Sequence, residues 1–247
     1  MKTDNVIKAV GLTKIFRTES VQTTALNEVN LEIYPREFVA IMGKSGCGKS
    51  TLLNLLSTLD QTDKGQIFFE GKDISQLFDD EAAKLRLESF GFVFQMPRMV
   101  KNLTILDNIL LPSLTYKKDK EAAKQQALAL MEEIGISDLA DKRISQVSGG
   151  QLQRAGICRA LINNPNLIFA DEPTGALDSK SGQEVMKLFS QYHQAGKTIL
   201  MVTHDMALAA KAQRVLLMKD GLIQEDLTMG HSEPDNLLLL QSHMSNL

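Results

Sequence analysis

The chain has 247 residues and a formal net charge of −3, and 43% of its residues are hydrophobic and 23% charged. This length fits one large α/β domain or two small ones, and the composition is that of a globular protein. Because the charge is nearly balanced, tryptophan is absent and aromatic residues are few, we expect no nucleic-acid partner.

The hydrophobic and cysteine patterns predict a cytosolic chain. The N-terminus, MKTDNVIKAV, has no apolar run of signal-peptide length, and no stretch reaches the roughly 18 uninterrupted apolar residues of a membrane-spanning helix. Cys47 and Cys158 form no metal-binding pair, which is the cysteine usage of a reduced compartment. If the protein works at a membrane, we expect it to dock there on another protein.

Three segments near the N-terminus, 6–16, 26–34 and 36–43, have the residue pattern of strands. The third ends in a glycine-rich turn, and a helical pattern follows at once. Its apolar residues are spaced to bury one helix face: Leu52, Leu53, Leu55, Leu56 and Leu59. Residues 65–71, GQIFFEG, predict a short strand bounded by glycines.

The rest of the chain predicts a helical stretch and then a return to strands. From about Asp79 to Leu161 the pattern is mostly helical, and strands follow at 167–170 and 198–203. Near the end, two apolar runs flank Asp220-Gly221, a strong hairpin signal. This order predicts an α/β fold in which a parallel-sheet nucleotide-binding core carries an antiparallel β lobe and an inserted helical lobe.

A phosphate-binding loop is predicted between the third strand and the first helix. The segment fits the pattern GxxxxGK(S/T), in which backbone N–H groups and a helix N-terminus surround phosphates. Its residues are Gly43, Lys44, Ser45, Gly46, Cys47, Gly48, Lys49, Ser50 and Thr51. We expect Lys49 to bridge the β- and γ-phosphates and the Ser50 hydroxyl to hold Mg²⁺.

Two adjacent carboxylates end the apolar strand LIFA, about 120 residues beyond this loop. In a P-loop ATPase an Asp at such a strand end holds the Mg²⁺ shell, and a carboxylate beside it can polarise the attacking water. We therefore predict that Asp171 serves the metal and Glu172 is the general base.

A second helix start suited to anions follows at Ser148, Gly149, Gly150 and Gln151. Small residues there leave N–H groups free to bind an anion. Either the chain binds two nucleotides, or one copy completes the site of another. The alternative without a ligand is an ordinary capped helix.

Three further side chains fit a nucleotide site. Gln95 follows the apolar stretch Phe90 to Phe94 and could reach Mg²⁺ and water through its carbonyl. Asp178 lies shortly beyond the carboxylate pair, and His204 follows the strand TILMVT. Taken alone, a residue of this kind at such a position is more often structural than functional.

Taken together, these segments resemble the ABC ATPases. GKSGCGKST resembles the family's P-loop, VSGGQ its signature, LIFADE its metal-and-base strand, TGALD its dimer-facing loop and THD its switch histidine. Gln95 stands where the family has its glutamine loop, and Phe16 where an aromatic residue stacks on adenine. The resemblance spans about residues 6 to 225. Val147 in place of leucine and phenylalanine in place of tyrosine at position 16 are mild departures.

The resemblance implies ATP and Mg²⁺ as ligands, with Glu172, His204, Gln95 and Lys49 as catalytic residues and Ser50, Gln95 and Asp171 as metal ligands. It also implies that the signature and Asp178 face ATP in a head-to-tail homodimer. Within the family the chain is most similar to the branch of macrolide efflux, lipoprotein release and peptide-antibiotic resistance. Its motifs there are TALNEVNLEI, FGFVFQ, LTILDNILLP and TGALDSKSG. Such ATPases drive an integral membrane permease from the cytoplasmic face.

Two other functions are weighed against this transport role. A soluble ABC ATPase acting on nucleic acid or the ribosome is disfavoured because the chain has no heptad run, no CxxC and one P-loop. A regulator that binds ATP without hydrolysing it is disfavoured because Glu172 and His204 are both present.

The expected organisation is a single domain: β lobe and P-loop core over 1–94, helical lobe over 95–162, remaining core over 163–229 and a tail over 230–247. The segment after Gln95 either docks a permease or fills the helical lobe's own core; its apolar residues are Met96, Pro97, Met99, Val100, Leu103 and Ile105. We expect the Cys47 thiol to be open and reactive, and Cys158 to be packed.

Overall fold

A computed structural model describes residues 5–18, 22–116, 119–230 and 232–245. Parts of the expected β lobe and tail (1–4, 19–21, 231 and 246–247) lie outside the described residues. The chain forms two compact units: one holds the residues up to Ala82 and those from Thr198 onward, and the other holds Ala83 to Lys197. No helix within the described ranges is long and apolar enough to cross a membrane.

Strands and α-helices alternate along most of the described chain. In chain order they are β1 (Ile7–Arg17), β2 (Gln22–Ile33), β3 (Phe38–Met42), α1 (Lys49–Leu56), β4 (Lys64–Phe69), β5 (Lys72–Asp73), α2 (Asp79–Ser89), β6 (Phe90–Phe94), α3 (Ile105–Tyr116), α4 (Lys120–Glu133), α5 (Gly149–Leu161), β7 (Leu167–Asp171), α6 (Ser179–Gln194), β8 (Thr198–Val202), α7 (Met206–Ala209), β9 (Arg214–Lys219), β10 (Leu222–Thr228) and α8 (Glu233–Met244).

The first unit contains the predicted antiparallel lobe, a sheet with strand order β2-β1-β4-β5. Strand β1 pairs with β2 on one edge and β4 on the other, and irregularities interrupt both ladders near Leu12. The side chains of Ile7, Leu12, Leu26 and Ile33 are fully buried, which gives the lobe an apolar core.

The same unit holds the strand that leads into the predicted phosphate-binding loop. Strand β3 lies between β8 and β9 and runs parallel to both. All five of its residues are buried, as the continuous apolar run of a parallel strand predicts. The predicted hairpin is confirmed: β9 and β10 pair antiparallel, and Asp220 (φ 50°) and Gly221 (φ 76°) take the left-handed conformation of a tight hairpin turn.

Helix α1 is shorter than its leucine pattern predicts. It ends at Leu56, and Thr58 adopts a positive φ of 58°, which an α-helix does not allow. Leu59 therefore lies beyond the helix and is 44% exposed, so its predicted place on the buried face is wrong.

The second unit contains a strand that the sequence pattern missed. The stretch from Asp79 to Leu161 was expected to be mostly helical, but Phe90–Phe94 is a strand, β6, paired parallel to β7. The ring centroid of Phe169 lies 5.1 Å from that of Phe90 and 5.7 Å from that of Phe92. This packing on β7 is a long-range effect, and a local helical period cannot reveal it.

The tail contributes a helix to the first unit. The carboxamide of Asn236, at the start of α8, accepts from the Gly230 N–H at 2.7 Å and donates to the Ala210 carbonyl at 2.9 Å. Leu240 is fully buried, whereas Leu238 on the same helix is 64% exposed. Helix α8 therefore packs through one face, and the carbonyl held by Asn236 is that of the residue that ends α7.

This packing predicts different costs for two leucine truncations in α8. Leu240→Ala removes buried apolar atoms and should lower the free energy of unfolding by about 2–5 kcal/mol. Leu238→Ala, the matched control, should change it by less than about 0.5 kcal/mol. Denaturant unfolding of the full chain measures both. Equal effects of the two substitutions would contradict the packing of α8.

Candidate functional site

The phosphate-binding loop of the first unit begins after β3 and ends in α1, as its motif predicts. Gly48, immediately before the helix, has a φ of 105°. A Cβ there would lie 2.4 Å from the Ala25 carbonyl oxygen. Only glycine fits this position, because both the backbone conformation and the space exclude a side chain. The loop therefore keeps the tight curve that turns its backbone N–H groups inward.

Lys49 holds its ammonium group against the same loop. The residue is only 8% exposed, and its Nζ donates to the Gly43 carbonyl at 2.8 Å and the Lys44 carbonyl at 3.1 Å. These carbonyls partly compensate the burial of a positive charge. The arrangement fixes a cation at the loop predicted to receive phosphate.

The β9–β10 turn supports the loop from outside, which the sequence reasoning missed. The Gly221 N–H donates to the Cys47 carbonyl at 3.0 Å, and the Gly221 carbonyl accepts from the Asn27 N–H at 3.0 Å. One hairpin residue thereby links the loop to β2. The dipeptide Asp220-Gly221 signals a turn but not the segment on which that turn packs.

The expectation of an open Cys47 thiol is wrong. Cys47 is buried, and its Sγ lies 2.6 Å from the position that a Cβ on Gly43 would occupy. The thiol therefore points inward, while the backbone carbonyl faces Gly221. Cys158 is packed as expected, and burial raises the pKa of its thiol to about 12.

Phe16 and His204 also lie in the first unit. The Phe16 ring is 47% exposed, and Lys14 Nζ lies 5.5 Å from its centroid. His204 is exposed and lies just beyond β8. The neighbouring Asp205 caps α7 by accepting from the Ala207 N–H at 2.7 Å. Because Asn236 holds the other end of α7, the short helix that follows His204 is anchored at both ends.

The second unit brings Gln95 and the carboxylate pair to neighbouring strand ends. In the parallel β6–β7 pair, Phe94 lies opposite Asp171, so Gln95 and Glu172 follow at the same edge of the two strands. Gly175 approaches Gln95 so closely that a Cβ on it would lie 2.9 Å from Gln95 Nε2. The register of the β6–β7 pair thus brings three predicted site residues to one edge: Gln95, Asp171 and Glu172.

Glu172 adopts a strained backbone conformation. Its φ of 46° lies in the left-handed region, which costs a non-glycine residue on the order of 1–3 kcal/mol. The turn is closed by the Gly175 N–H, which donates to the Glu172 carbonyl at 3.0 Å. Six other described non-glycine residues also have a positive φ, so this conformation shows how the carboxylate is positioned, and its chemical role stays a prediction.

The predicted signature starts α5 with two reciprocal caps. The Ser148 hydroxyl accepts from the Gln151 N–H at 3.3 Å, and the Gln151 side chain accepts from the Ser148 N–H at 2.8 Å. The Gly149 and Gly150 N–H groups precede Leu152, whose N–H is the first to donate within the helix, to the Ser148 carbonyl. A Cβ on Gly150 would lie 2.6 Å from Ser181 Oγ, so the helix start packs against α6. The helix start is therefore capped, and the binding of an anion by its glycine N–H groups stays a prediction.

Asp178 has a local structural role. Its carboxylate caps α6 by accepting from the Lys180 and Ser181 N–H groups, each at 3.0 Å, and from the Ser181 hydroxyl at 2.7 Å. The hydrogen bonds from Ser181 hold the pKa of this carboxyl below its usual value. Its expected contact with ATP stays a prediction.

The residue that sequence reasoning missed in this unit is Gln153. It is fully buried on α5, and its side-chain amide donates to the carbonyls of Phe94 and Pro173. A polar residue at helical spacing from the apolar Ile157 and Ala160 was the available signal.

The donors in the second unit are chemically suited to Mg²⁺. Asp171 and Gln95 supply carboxylate and amide oxygens at adjacent strand ends, and Mg²⁺ prefers oxygen ligands. No cluster of three or more His, Cys, Asp or Glu side chains suited to a metal occurs in the described parts of the chain. Mg²⁺ does not need one, because it keeps several waters and binds through one or two carboxylates plus phosphates.

Comparison with known proteins places this geometry in a family. The profile of the ABC transporter family matches residues 26–175. A macrolide export ATP-binding/permease protein MacB of Shewanella sp. (strain W3-18-1) is 44% identical over 90% of this chain and 34% of its own length. The chain thus spans about a third of this relative. An uncharacterized ABC transporter ATP-binding protein of Methanocaldococcus jannaschii, MJ1508, is 44% identical over 89% of this chain and 98% of its own length.

The fold comparison agrees. The dimeric structure of a post-hydrolysis state of the ATP-binding cassette MJ0796 bound to ADP and Pi has a TM-score of 0.85 and 37% identity, and it covers 92% of this chain and 100% of that one. A second dimeric structure of MJ0796, described as a bacterial ABC transporter cassette, also has a TM-score of 0.85, with 38% identity.

The buried thiols predict slow labelling of the native protein. Brief exposure to a maleimide should modify little Cys47 or Cys158, and denaturant should make both react fast. Between pH 7 and 9 a free thiol labels faster because its thiolate fraction rises. Native Cys158, with a pKa of about 12, keeps a thiolate fraction of about 0.1% or less up to pH 9, so its labelling should stay slow over this whole range. Peptide mapping by mass spectrometry measures each site, and rapid labelling of native Cys47 would contradict its inward orientation.

Proposed function

The chain belongs to the ABC transporter family and carries that family's ATPase domain, and from this premise we propose that it is the ATP-hydrolysing subunit of a transporter. Two copies would bind two ATP and Mg²⁺ between them and drive a separate membrane permease, for export or for mechanotransmission. The observation that carries the proposal is the strained Glu172 at the strand edge where Gln95 also emerges.

The described side chains support a division of labour in hydrolysis. Lys49, fixed against the phosphate-binding loop, would neutralise charge on the β- and γ-phosphates. Glu172 would take a proton from the attacking water as general base, and the Gln95 carbonyl would orient that water. His204 would contact the γ-phosphate. Mg²⁺, held by Ser50, Asp171 and Gln95, would supply positive charge to the phosphate oxygens.

A second copy would complete each site through the signature. The Gly149 and Gly150 N–H groups form a helix start with partial positive charge, which suits a γ-phosphate. A single copy already has one P-loop for its own nucleotide, so the second anion site suits the nucleotide of a partner. The dimeric MJ0796 structures support this arrangement.

The permease would be a separate chain that docks on the second unit. The MacB relatives are named ATP-binding/permease proteins, and the match covers 34% of the length of one of them. In the segment after Gln95, Met96 is 73% exposed and Val100 48%, whereas Ile105 is fully buried. Ile105 thus fills the unit's own core, and the exposed pair supports docking of another protein's helix. Docked in this way, the subunit would lie on the cytoplasmic face of the membrane.

Glu172→Gln should still bind ATP and should hydrolyse it at least about a hundredfold more slowly, since it lacks the general base. Because ATP would persist, the variant should elute as a dimer in size-exclusion chromatography with ATP and Mg²⁺. Wild-type hydrolysis, or a variant that stays monomeric with bound ATP, would remove Glu172 from this role.

Mixing two inactive variants should restore activity if the signature acts on the partner's ATP. Lys49→Ala disables the P-loop, and Ser148→Arg disables the signature. Their heterodimer has one intact composite site and one site with both defects, so partial ATPase activity should return on mixing. Each variant alone is the control. Full activity of Ser148→Arg alone would refute the composite site.

A further inference from the structure

One buried side chain links the signature helix to both catalytic segments of the second unit. The Nε2 of Gln153 donates to the Phe94 carbonyl at 2.9 Å and to the Pro173 carbonyl at 2.7 Å. Gln153 is fully buried. Both N–H groups of one primary amide are therefore used on two separate backbone segments.

The two carbonyls are adjacent to the residues proposed to carry the chemistry. Phe94 precedes Gln95, and Pro173 follows Glu172. Phe94 is the last residue of β6, and Pro173 lies just beyond the end of β7, so the β6–β7 ladder does not fix the residues that follow Phe94 and Asp171. The side-chain amide of Gln153 hydrogen-bonds both segments at the point where the ladder ends.

The environment of the amide oxygen of Gln153 indicates that the two hydrogen bonds from Nε2 set the orientation of the side chain. Gln153 Oε1 is buried and has no hydrogen-bond partner among the described residues. A buried polar atom without a partner is costly and calls for an explanation. Reversing the amide would turn Oε1 toward two carbonyl oxygens, so the donor side must face the catalytic segments.

We propose that Gln153 is a positioning residue for ATP hydrolysis, which holds Gln95 and Glu172 in fixed relation to the signature helix. Helix α5 begins at Gly149, so Gln153 lies about one turn (roughly 6 Å) from the signature amides. A shift of that helix start, when it engages a partner's ATP, is transmitted through one amide to both segments. Binding of the partner's nucleotide at the signature thereby changes the positions of Gln95 and Glu172 in the chain that carries this signature.

This inference rests on the proposed roles of Gln95 and Glu172. Loss of the amide frees two backbone segments, and a misplacement of about 1 Å can slow catalysis by about a hundredfold. Gln153→Met keeps the length of the side chain and removes its donors. We expect its kcat to fall at least about tenfold, while KM for ATP stays within about threefold because Lys49 and the P-loop hold the phosphates.

The chain offers a matched control in Asn163, in the same unit. Its Nδ2 donates to the Leu87 carbonyl at 3.0 Å and the Pro112 carbonyl at 3.3 Å, and its Oδ1 is also buried without a described partner. Neither carbonyl adjoins a proposed site residue. Asn163→Leu should therefore lower the thermal unfolding midpoint, as Gln153→Met does, and leave kcat unchanged.

The test measures kcat, KM for ATP and the unfolding midpoint of the full chain carrying Gln153→Met, Asn163→Leu or Glu172→Gln. If Gln153→Met does not fold, Gln153→Glu replaces it, since its carboxyl has the same size and donates at most one hydrogen bond. A fall in kcat confined to the Gln153 variant and Glu172→Gln supports the inference.

Two results would overturn the inference. Wild-type kcat in a folded Gln153 variant would do so, and so would an equal fall in kcat for Asn163→Leu. Glu172→Gln separates this failure from that of the proposed function. If Glu172→Gln hydrolyses ATP at the wild-type rate, the proposed site itself is wrong.

Discussion

The positions of the proposed catalytic residues Gln95 and Glu172 in the second unit depend on the register of the parallel β6–β7 pair. Phe94 opposite Asp171 fixes the edge at which Gln95 and Glu172 leave their strands. A parallel ladder shifted by one residue would point each of these side chains to the other face of the sheet. Three features depend on the coincidence of these strand ends. They are the left-handed backbone of Glu172, the close contact of Gly175 with Gln95, and the hydrogen bonds from Gln153 to the Phe94 and Pro173 carbonyls.

In each unit, hydrogen bonds to the backbone hold the segments that carry predicted site residues. In the first unit, Gly221 holds the P-loop through the Cys47 carbonyl, and Asp205 and Asn236 anchor the two ends of α7 next to His204. In the second unit, Gln153 holds the segments after β6 and β7. Gly221, Asn236 and Gln153 lie far in sequence from the segments they hold, so the precision of a motif depends on residues that the motif does not contain.

The sequence predicted the loops and strand ends that carry motifs because glycine patterns, apolar runs and terminal carboxylates are local signals. It failed where tertiary packing decides. The strand β6 was hidden in a helical stretch because its partner is far along the chain, and Leu59 left its helix because of the backbone at Thr58. The inward turn of Cys47 and the role of Gln153 depend on neighbours that no local pattern identifies.

In the proposed dimer, the P-loop of one copy and the signature of the other hold the same ATP. The most direct test is a crystal structure of Glu172→Gln with ATP and Mg²⁺. We expect two copies per assembly, in which each γ-phosphate contacts Lys49 of one copy and the Gly149 and Gly150 N–H groups of the other. ATP bound to a monomer, or to a dimer in which the signature amides face solvent, would contradict it.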